Sequence, residues 1–383
     1  MKKTSVLMGL VGLVAIAGGL TSCGGDKTSD GANSGNTTKG AEIAVVTDVG
    51  LLMDGGFNEG TYNGAVEFAT ANKKTYQYYQ PANGANATDN DRIAAMETAI
   101  MNNAKVVVAP GYLQAAAMTK VASENPEVKF IFVDGWTLTD DKKNVLNNVT
   151  AITYKEQESG FLAGYAAVKD GYTKLGGCFG GGGSNPACNR YAYGYVQGIN
   201  AAAAELSKNV ETKISYKFGE NFNASTQLVT QMDGWYAAGT EVVFSCGGSM
   251  VNSVITAAAK TEKGKVIGVD TDQASLSDRV ITSAQKGLAV SVKTVLTQIY
   301  NNEWDTKLSG KTQNLGAAED ATGLPTAKDS WRFTKFTAEE YKTIFDKIKS
   351  GALTPDATVD ENCNVDAFWE KATFTNVHVT LEK

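Results

Sequence analysis

A single histidine, His378, occurs in 383 residues. One imidazole would have to do everything, which nearly excludes a Ser-His-Asp triad or a His-rich metal site. In "FTNVHVTLEK" it reads as a surface strand residue. Cysteine is scarce, with five in all, and no two stand in a CxxC pair, so the usual zinc spacing is missing. Basic residues are not in excess. Against 35 Lys and Arg stand 41 Asp and Glu, a formal net charge of -6, whereas a nucleic-acid partner calls for a basic stripe. The glycine-rich stretch "GGCFGGGGSNPACNR", 176 to 190, lacks both GxGxxG spacing and a Gly-Lys-Ser/Thr ending. The phosphate-cradling fingerprints are therefore absent, and the stretch reads as a strand-to-helix loop. No internal repeat of 20–50 residues is found.

What is present begins with "MKKTSVLMGLVGLVAIAGGLTSC". A Lys2-Lys3 head and an apolar run from Val6 to Leu20 form a secretory signal pattern, and the run is short for a membrane span of about 20 residues. It ends in Leu20-Thr21-Ser22-Cys23, which is similar to a bacterial lipobox. Residues 1–23 are expected to be a lipoprotein signal peptide with Cys23 the lipidated residue. Residues 24–40 hold no leucine, valine or aromatic residue and are expected to form a flexible tether. The globular part would then face outside the cytoplasm, where disulfides are permitted. Cys178 and Cys188 could close a short loop, although sequence does not fix the pairing of Cys178, Cys188, Cys246 and Cys363.

From residue 41 onwards, apolar β-branched segments alternate with segments of helical period. Candidate strands are 43–47, 75–79, 105–109, 129–134, 174–178, 212–217, 241–246 and 265–269. Candidate helices are 57–71, 89–103, 112–124, 156–169, 189–207, 223–238, 249–261 and 287–301, the second of them with Asp89 as N-cap. Such alternation predicts parallel sheets covered by helices. The series is long for one sheet, and "NNVTAITYKEQES", 147 to 159, reads as a break between two halves. The expected lobes are 41–152 plus about 270–315, and 153–269 plus about 316–383, with a ligand cleft between them.

Three acids end apolar strands or follow them directly: Asp48 after 43–47, Asp134 in "KFIFVDGW" and Asp270 in "KVIGVDTDQ". The carboxyl ends of parallel strands face the crevice of an open α/β sheet. Phe57, after the Gly55-Gly56 turn, and Phe222 in "GENFNAS" would add flat apolar faces at the same rim. Three acids could also hold a divalent cation or act as an acid–base pair. Acceptors combined with aromatic plates suit a sugar joined to a flat base better than an ion.

Six spaced blocks then become specific. "DVGLLMDGGFNEGTYNGA", "NPEVKFIFVDG", "EQESGFLAGYAA", "GTEVVFSCGG", "KVIGVDTDQ" and "ITSAQKG" resemble the basic membrane protein family, bacterial lipoproteins that include purine nucleoside receptors. The resemblance covers about 41–300, with a weaker extension through "IKSGAL". It departs from the family at the glycine-rich loop 180–185 and in a longer tail after 353. It implies an α/β fold of two lobes, the type I periplasmic-binding-protein fold, each lobe a parallel sheet flanked by helices. It also implies a substrate-binding protein of an ABC transporter, with no catalysis, cofactor or metal. Its partners would be a purine nucleoside, a permease and, through the lipid, the membrane. Carried onto this sequence, Phe57 and Phe222 would sandwich the purine and Asp48 and Asn58 would bind its edge. Asp134, Gly247, Asp270 and Lys286 would hold the ribose. The readings left beside it are a receptor for another polar ligand such as a sugar, a surface or signalling lipoprotein without transport, and a nucleoside hydrolase using aspartates on calcium.

Overall fold

The computed structural model describes residues 40–49, 51–358 and 365–382. The signal-like segment, its Cys23 and almost all of the expected tether lie outside the described residues, as does Cys363. Among the described residues no helix is long and apolar enough to cross a membrane.

The first half runs β1 (Ile43–Val46), α1 (Phe57–Ala71), β2 (Tyr76–Tyr79), α2 (Asp89–Met101), β3 (Val106–Pro110), α3 (Ala115–Glu124), β4 (Lys129–Val133) and β5 (Val149–Tyr154). The chain then crosses to a second lobe with α4 (Glu156–Asp170), β6 (Lys174–Phe179), α5 (Pro186–Glu205), β7 (Val210–Ser215), α6 (Thr226–Ala237), β8 (Val242–Cys246), α7 (Met250–Ala258), β9 (Lys265–Asp270) and β10 (Val280–Lys286). It returns to the first lobe for α8 (Leu288–Tyr300) and β11 (Thr312–Leu315). It crosses once more for β12 (Thr322–Gly323), α9 (Ala338–Lys349), α10 (Val365–Lys371) and β13 (Val377–Glu382). The first sheet has the order β11-β5-β4-β3-β1-β2 and is parallel throughout. The second has the order β12-β10-β9-β8-β6-β7-β13, and only β12 is antiparallel. Three crossings thus join two helix-covered sheets.

The central strands are buried along their whole length, as in β1, β3 and β8. Parallel strands covered on both faces read as continuous apolar runs for this reason. Three expectations are corrected. The segment 147–159 is not only a break: Val149–Tyr154 is a full strand, hidden in the sequence between polar flanks. Residues 270–286 stay with the second lobe, because β10 pairs in parallel with β9, so the return begins at α8. The N-cap of α2 is Thr88, which forms a capping box with Asp91, and Asp89 is the first helical residue. His378 is exposed on edge strand β13, opposite Glu211.

One helix pair places the site. Helices α4 and α5 pack through Gly160 and Gly164 on one and Gly194 and Gly198 on the other. A Cβ on Gly194 would lie 2.2 Å from the Gln157 carbonyl, and one on Gly198 would lie 2.0 Å from that of Phe161. Only glycine allows this backbone approach. It brings the first turn of α4, which carries Glu156, against the first turns of α5, which carry Arg190 and Tyr191.

Candidate functional site

Asp48, Phe57, Asn58, Asp134, Phe222, Gly247, Asp270 and Lys286 all line one cavity between the lobes, together with Asp54, Tyr112, Asn185, Cys188, Tyr191 and Cys246 among others. It is a narrow space lined by both lobes. A wider, more open groove runs along α1, α8 and α9 and meets the site only at Asp270 and Lys286. Its lining offers none of the unpaired buried acceptors described below.

The first wall is built around the start of α1. The Asp54 carboxylate caps this helix, accepting from the backbone N–H groups of Gly56, Asn58 and Glu59 at 2.8, 3.1 and 3.2 Å. That cap fixes Phe57 at the cavity edge. Asn58 makes its hydrogen bonds within this wall. Its Oδ1 accepts from the Asp48 N–H at 2.9 Å, and its Nδ2 donates to the Val49 and Leu51 carbonyls at 3.1 and 3.3 Å. The amide thus spends both kinds of group on the 48–51 loop, so Asn58 shapes the loop that carries Asp48.

The second wall holds Phe222. Its backbone sits at φ 58°, and Asp134 and Asp270 sit at 56° and 65°. Non-glycine residues with positive φ are uncommon and cluster at functional sites. The glycine-rich stretch has a use that sequence reasoning missed. A Cβ on Gly180 would come within 2.4 Å of the Phe222 ring and one on Gly247 within 2.9 Å, so these glycines form the seat of the aromatic plate. Gly247 itself lies at φ 145°.

Between the walls sits the Lys286 ammonium. It donates to Asp134 Oδ2 at 2.6 Å and stands 3.4 Å from Glu156 Oε1 and 3.8 Å from Asp270 Oδ1. The rings of Phe57, Tyr154 and Tyr191 surround it at 5.1 to 5.6 Å, distances suited to cation–π attraction. Arg190 Nε donates to Glu156 Oε2 at 2.6 Å. Burial alone would depress the Lys286 pKa, but Asp134, Asp270 and Glu156 together raise it well above the ordinary range. Glu156 is pushed up by burial, and Arg190 and Lys286 outweigh that and hold it below the ordinary carboxylate value. Burial raises Asp134 against the pull of Lys286. It raises Asp48 to about 6 and Asp270 to about 7. Asp48 Oδ1 and Asp134 Oδ1 are buried with no hydrogen-bond partner. Among the described residues no three His, Cys, Asp or Glu side chains converge to hold a metal ion. Asp134, Glu156 and Asp270 face the Lys286 ammonium instead.

Glu156, Arg190 and Tyr191 were not singled out from sequence. Their only signals were an acid opening a helix in "EQESGF" and an Arg-Tyr pair following a Pro-led helix start. The Cys178–Cys188 bridge that sequence left open does not form. Cys178 packs beside Met232 and Trp235 on one face of the second sheet, and Cys188 beside Tyr191 and Phe244 on the other. Cys178, Cys188 and Cys246 are all free thiols.

The family model described as ABC transporter substrate-binding protein PnrA-like matches residues 41–354. The chain is 28% identical over 334 residues to the ABC transporter nucleoside-binding protein BmpA of Lactococcus lactis, covering 82% of this chain and 88% of that protein. It is 30% identical over 282 residues to basic membrane protein D of Borreliella burgdorferi, covering 72% and 78%. Among solved structures it is similar to an ABC transporter solute-binding protein of Aeropyrum pernix, at a TM-score of 0.69, 21% identity and coverage of 86% and 96%. At that identity the likeness supports the fold alone. The two-lobe fold, the interlobe cavity and a match over most of the chain agree: this chain belongs to the PnrA-like, or Bmp, family of ABC transporter substrate-binding proteins.

Proposed function

We propose that the protein captures a purine nucleoside in the interlobe cavity and presents it to an ABC-type importer. The observation that carries this reading is the pair of buried, unpartnered carboxylate oxygens, Asp48 Oδ1 and Asp134 Oδ1, in a cavity flanked by Phe57 and Phe222. A buried acceptor without a donor costs about 1–3 kcal/mol, more when charged, and a ligand rich in N–H and O–H groups relieves that cost. A nucleoside supplies such donors at both ends, with a flat base between.

In this reading Phe57 and Phe222 stack on the base and Asp48 accepts from its edge. Asp134 and Asp270 accept from ribose hydroxyls, with Lys286 holding both carboxylates in place. Gly247 keeps room for Phe222, and Asn58 positions the Asp48 loop. The site needs no catalytic residue. The name of the Lactococcus lactis relative supports nucleoside binding. A lipid on Cys23 would hold the protein at the membrane, its cleft facing outside the cytoplasm and toward a permease. If Cys23→Ala still fractionates as mature membrane-bound protein, that anchor is wrong.

The deciding experiment is calorimetric titration of the purified protein with guanosine, guanine and ribose, for wild type and Asp270→Asn. Guanosine is expected to bind, with Asp270→Asn weakening guanosine more than guanine. Binding of free sugars without any nucleoside would move the assignment to a sugar receptor.

A further inference from the structure

Cys188 and Cys246 meet in the wall of the cavity. Their sulfurs are 3.8 Å apart, both side chains are buried, and both residues line the cavity. Cys188 stands in the first turn of α5, held by its backbone N–H donating to Asn185 Oδ1 at 3.0 Å. Cys246 ends β8, and its carbonyl accepts from Gly180 N–H at 2.8 Å. The two belong to different elements of one lobe, 58 residues apart in sequence. The remaining described cysteine, Cys178, is on the opposite face of the sheet, next to Ser245 Oγ at 3.9 Å. Hydrophobic packing does not require two thiols to touch here. Neither ligand stacking nor the carboxylate cluster uses them.

We propose that Cys188 and Cys246 form a redox modification site, a dithiol that closes to an intramolecular disulfide in the ligand-cavity wall. The sulfurs need to approach from 3.8 Å to about 2.05 Å, a movement on the scale of a side-chain rotation. The oxidant is a small organic disulfide that enters through the cleft. One cysteine thiolate attacks a sulfur of that disulfide, giving a mixed disulfide and releasing one organic thiolate. The second cysteine then attacks the protein sulfur of the mixed disulfide and releases the second organic thiolate. The two protons lost by the cysteines end on the two released thiols, so two protein sulfurs are oxidised and one organic disulfide is reduced. Burial pushes the Cys246 thiol well above its ordinary range, which disfavours its thiolate. The bond would strap α5 to β8 beside Gly180 and Gly247, the seat of Phe222, so the site's oxidation state bears directly on the shape of the cavity. The site is defined by the two sulfurs alone and does not depend on which ligand the cavity takes.

The test uses the reduced, folded wild-type protein incubated with 2-hydroxyethyl disulfide, quenched in acid, alkylated and mapped by peptide mass spectrometry. The expected result is a Cys188–Cys246 linked peptide, a loss of two titratable thiols, and full reversal by dithiothreitol. Cys178→Ser should retain the linked peptide. Complete alkylation of both cysteines after prolonged oxidation would overturn the proposal. So would a bond mapped to Cys178 or Cys363, or a mixed disulfide that persists without closing.

Discussion

Proton uptake by the cavity provides a quantitative handle on the proposed site. Burial raises Asp48 to about 6 and Asp270 to about 7, above the ordinary aspartate value of about 3.9. A carboxyl whose folded pKa is raised favours folding in its neutral form. That contribution is complete below the unfolded value and is lost as pH rises through about 6 for Asp48 and about 7 for Asp270. Glu156, held low by Arg190 and Lys286 against its burial, acts in the opposite sense, and its contribution is lost only as acid reaches the ordinary glutamate range or below. Ligand binding runs against the first two. A nucleoside hydroxyl or N–H donates to an ionised acceptor, so binding at low pH must first expel the proton. If each ionised form is required, affinity falls roughly 20-fold from pH 8 to pH 6 and roughly 1,000-fold by pH 5, or about 2 and 4 kcal/mol. About one proton should leave per guanosine bound near pH 6.5. Calorimetry in buffers of different ionisation enthalpy measures that proton directly. Asp270→Asn should remove the component near pH 7 and leave the one near 6. A pH-independent affinity with no proton release would refute the assignment of these carboxylates to the ligand.

Base–aromatic stacking contributes about 1–3 kcal/mol per base, so Phe57→Ala and Phe222→Ala are each expected to weaken guanosine binding roughly ten- to a hundred-fold; unchanged titration curves in both would rule out the sandwich. Gly198→Leu forces a side chain into the space of the Phe161 carbonyl, and overpacking of this kind costs about 1–3 kcal/mol or more. Its melting temperature should fall well below that of an exposed control such as Gly234→Ala, where an added Cβ meets nothing within 4 Å. Equal stability of the two variants would contradict the close α4–α5 packing.

The sheets were legible because their strands are buried on both faces. "VVVAP" carries no polar position, and "KFIFV" only Lys129 at its start. The strands that escaped were those with mixed composition. Val149–Tyr154 includes two threonines, and Val280–Lys286 ends in Gln285 and Lys286. The acids at strand ends were legible for a topological reason, since the carboxyl end of a parallel strand faces the crevice. What sequence could not give was pairing across distance. Glu156 and Arg190 are 34 positions apart and meet because glycines bring α4 and α5 together. Sequence likewise gave no sign that the Asn58 amide bonds to the 48–51 loop. The glycine run read as a strand-to-helix loop, and only the seated Phe222 ring gives its purpose.

The charge arrangement leads to a prediction about what the site rejects. Asp48, Asp54, Asp134 and Asp270 line the cavity, and Lys286 is the one cation among the described lining residues. That ammonium already faces Asp134, Glu156 and Asp270. The nearby Arg190 is engaged by Glu156. A nucleotide phosphate carries a charge of roughly -1.5 to -2 at neutral pH. Burying it without a counter-ion costs several kcal/mol, and repulsion from four carboxyl groups adds to that. The neutral forms of Asp48 and Asp270 soften the repulsion at low pH but provide no positive partner. Guanosine 5′-monophosphate is therefore expected to bind at least roughly 1,000-fold more weakly than guanosine at pH 7.5, a difference of about 4 kcal/mol. Competition titration of the two against the same protein sample checks it. Affinities within tenfold of each other would mean that a cation is freed for the phosphate on binding, and the Lys286 network could not then be the fixed anchor of the carboxylates.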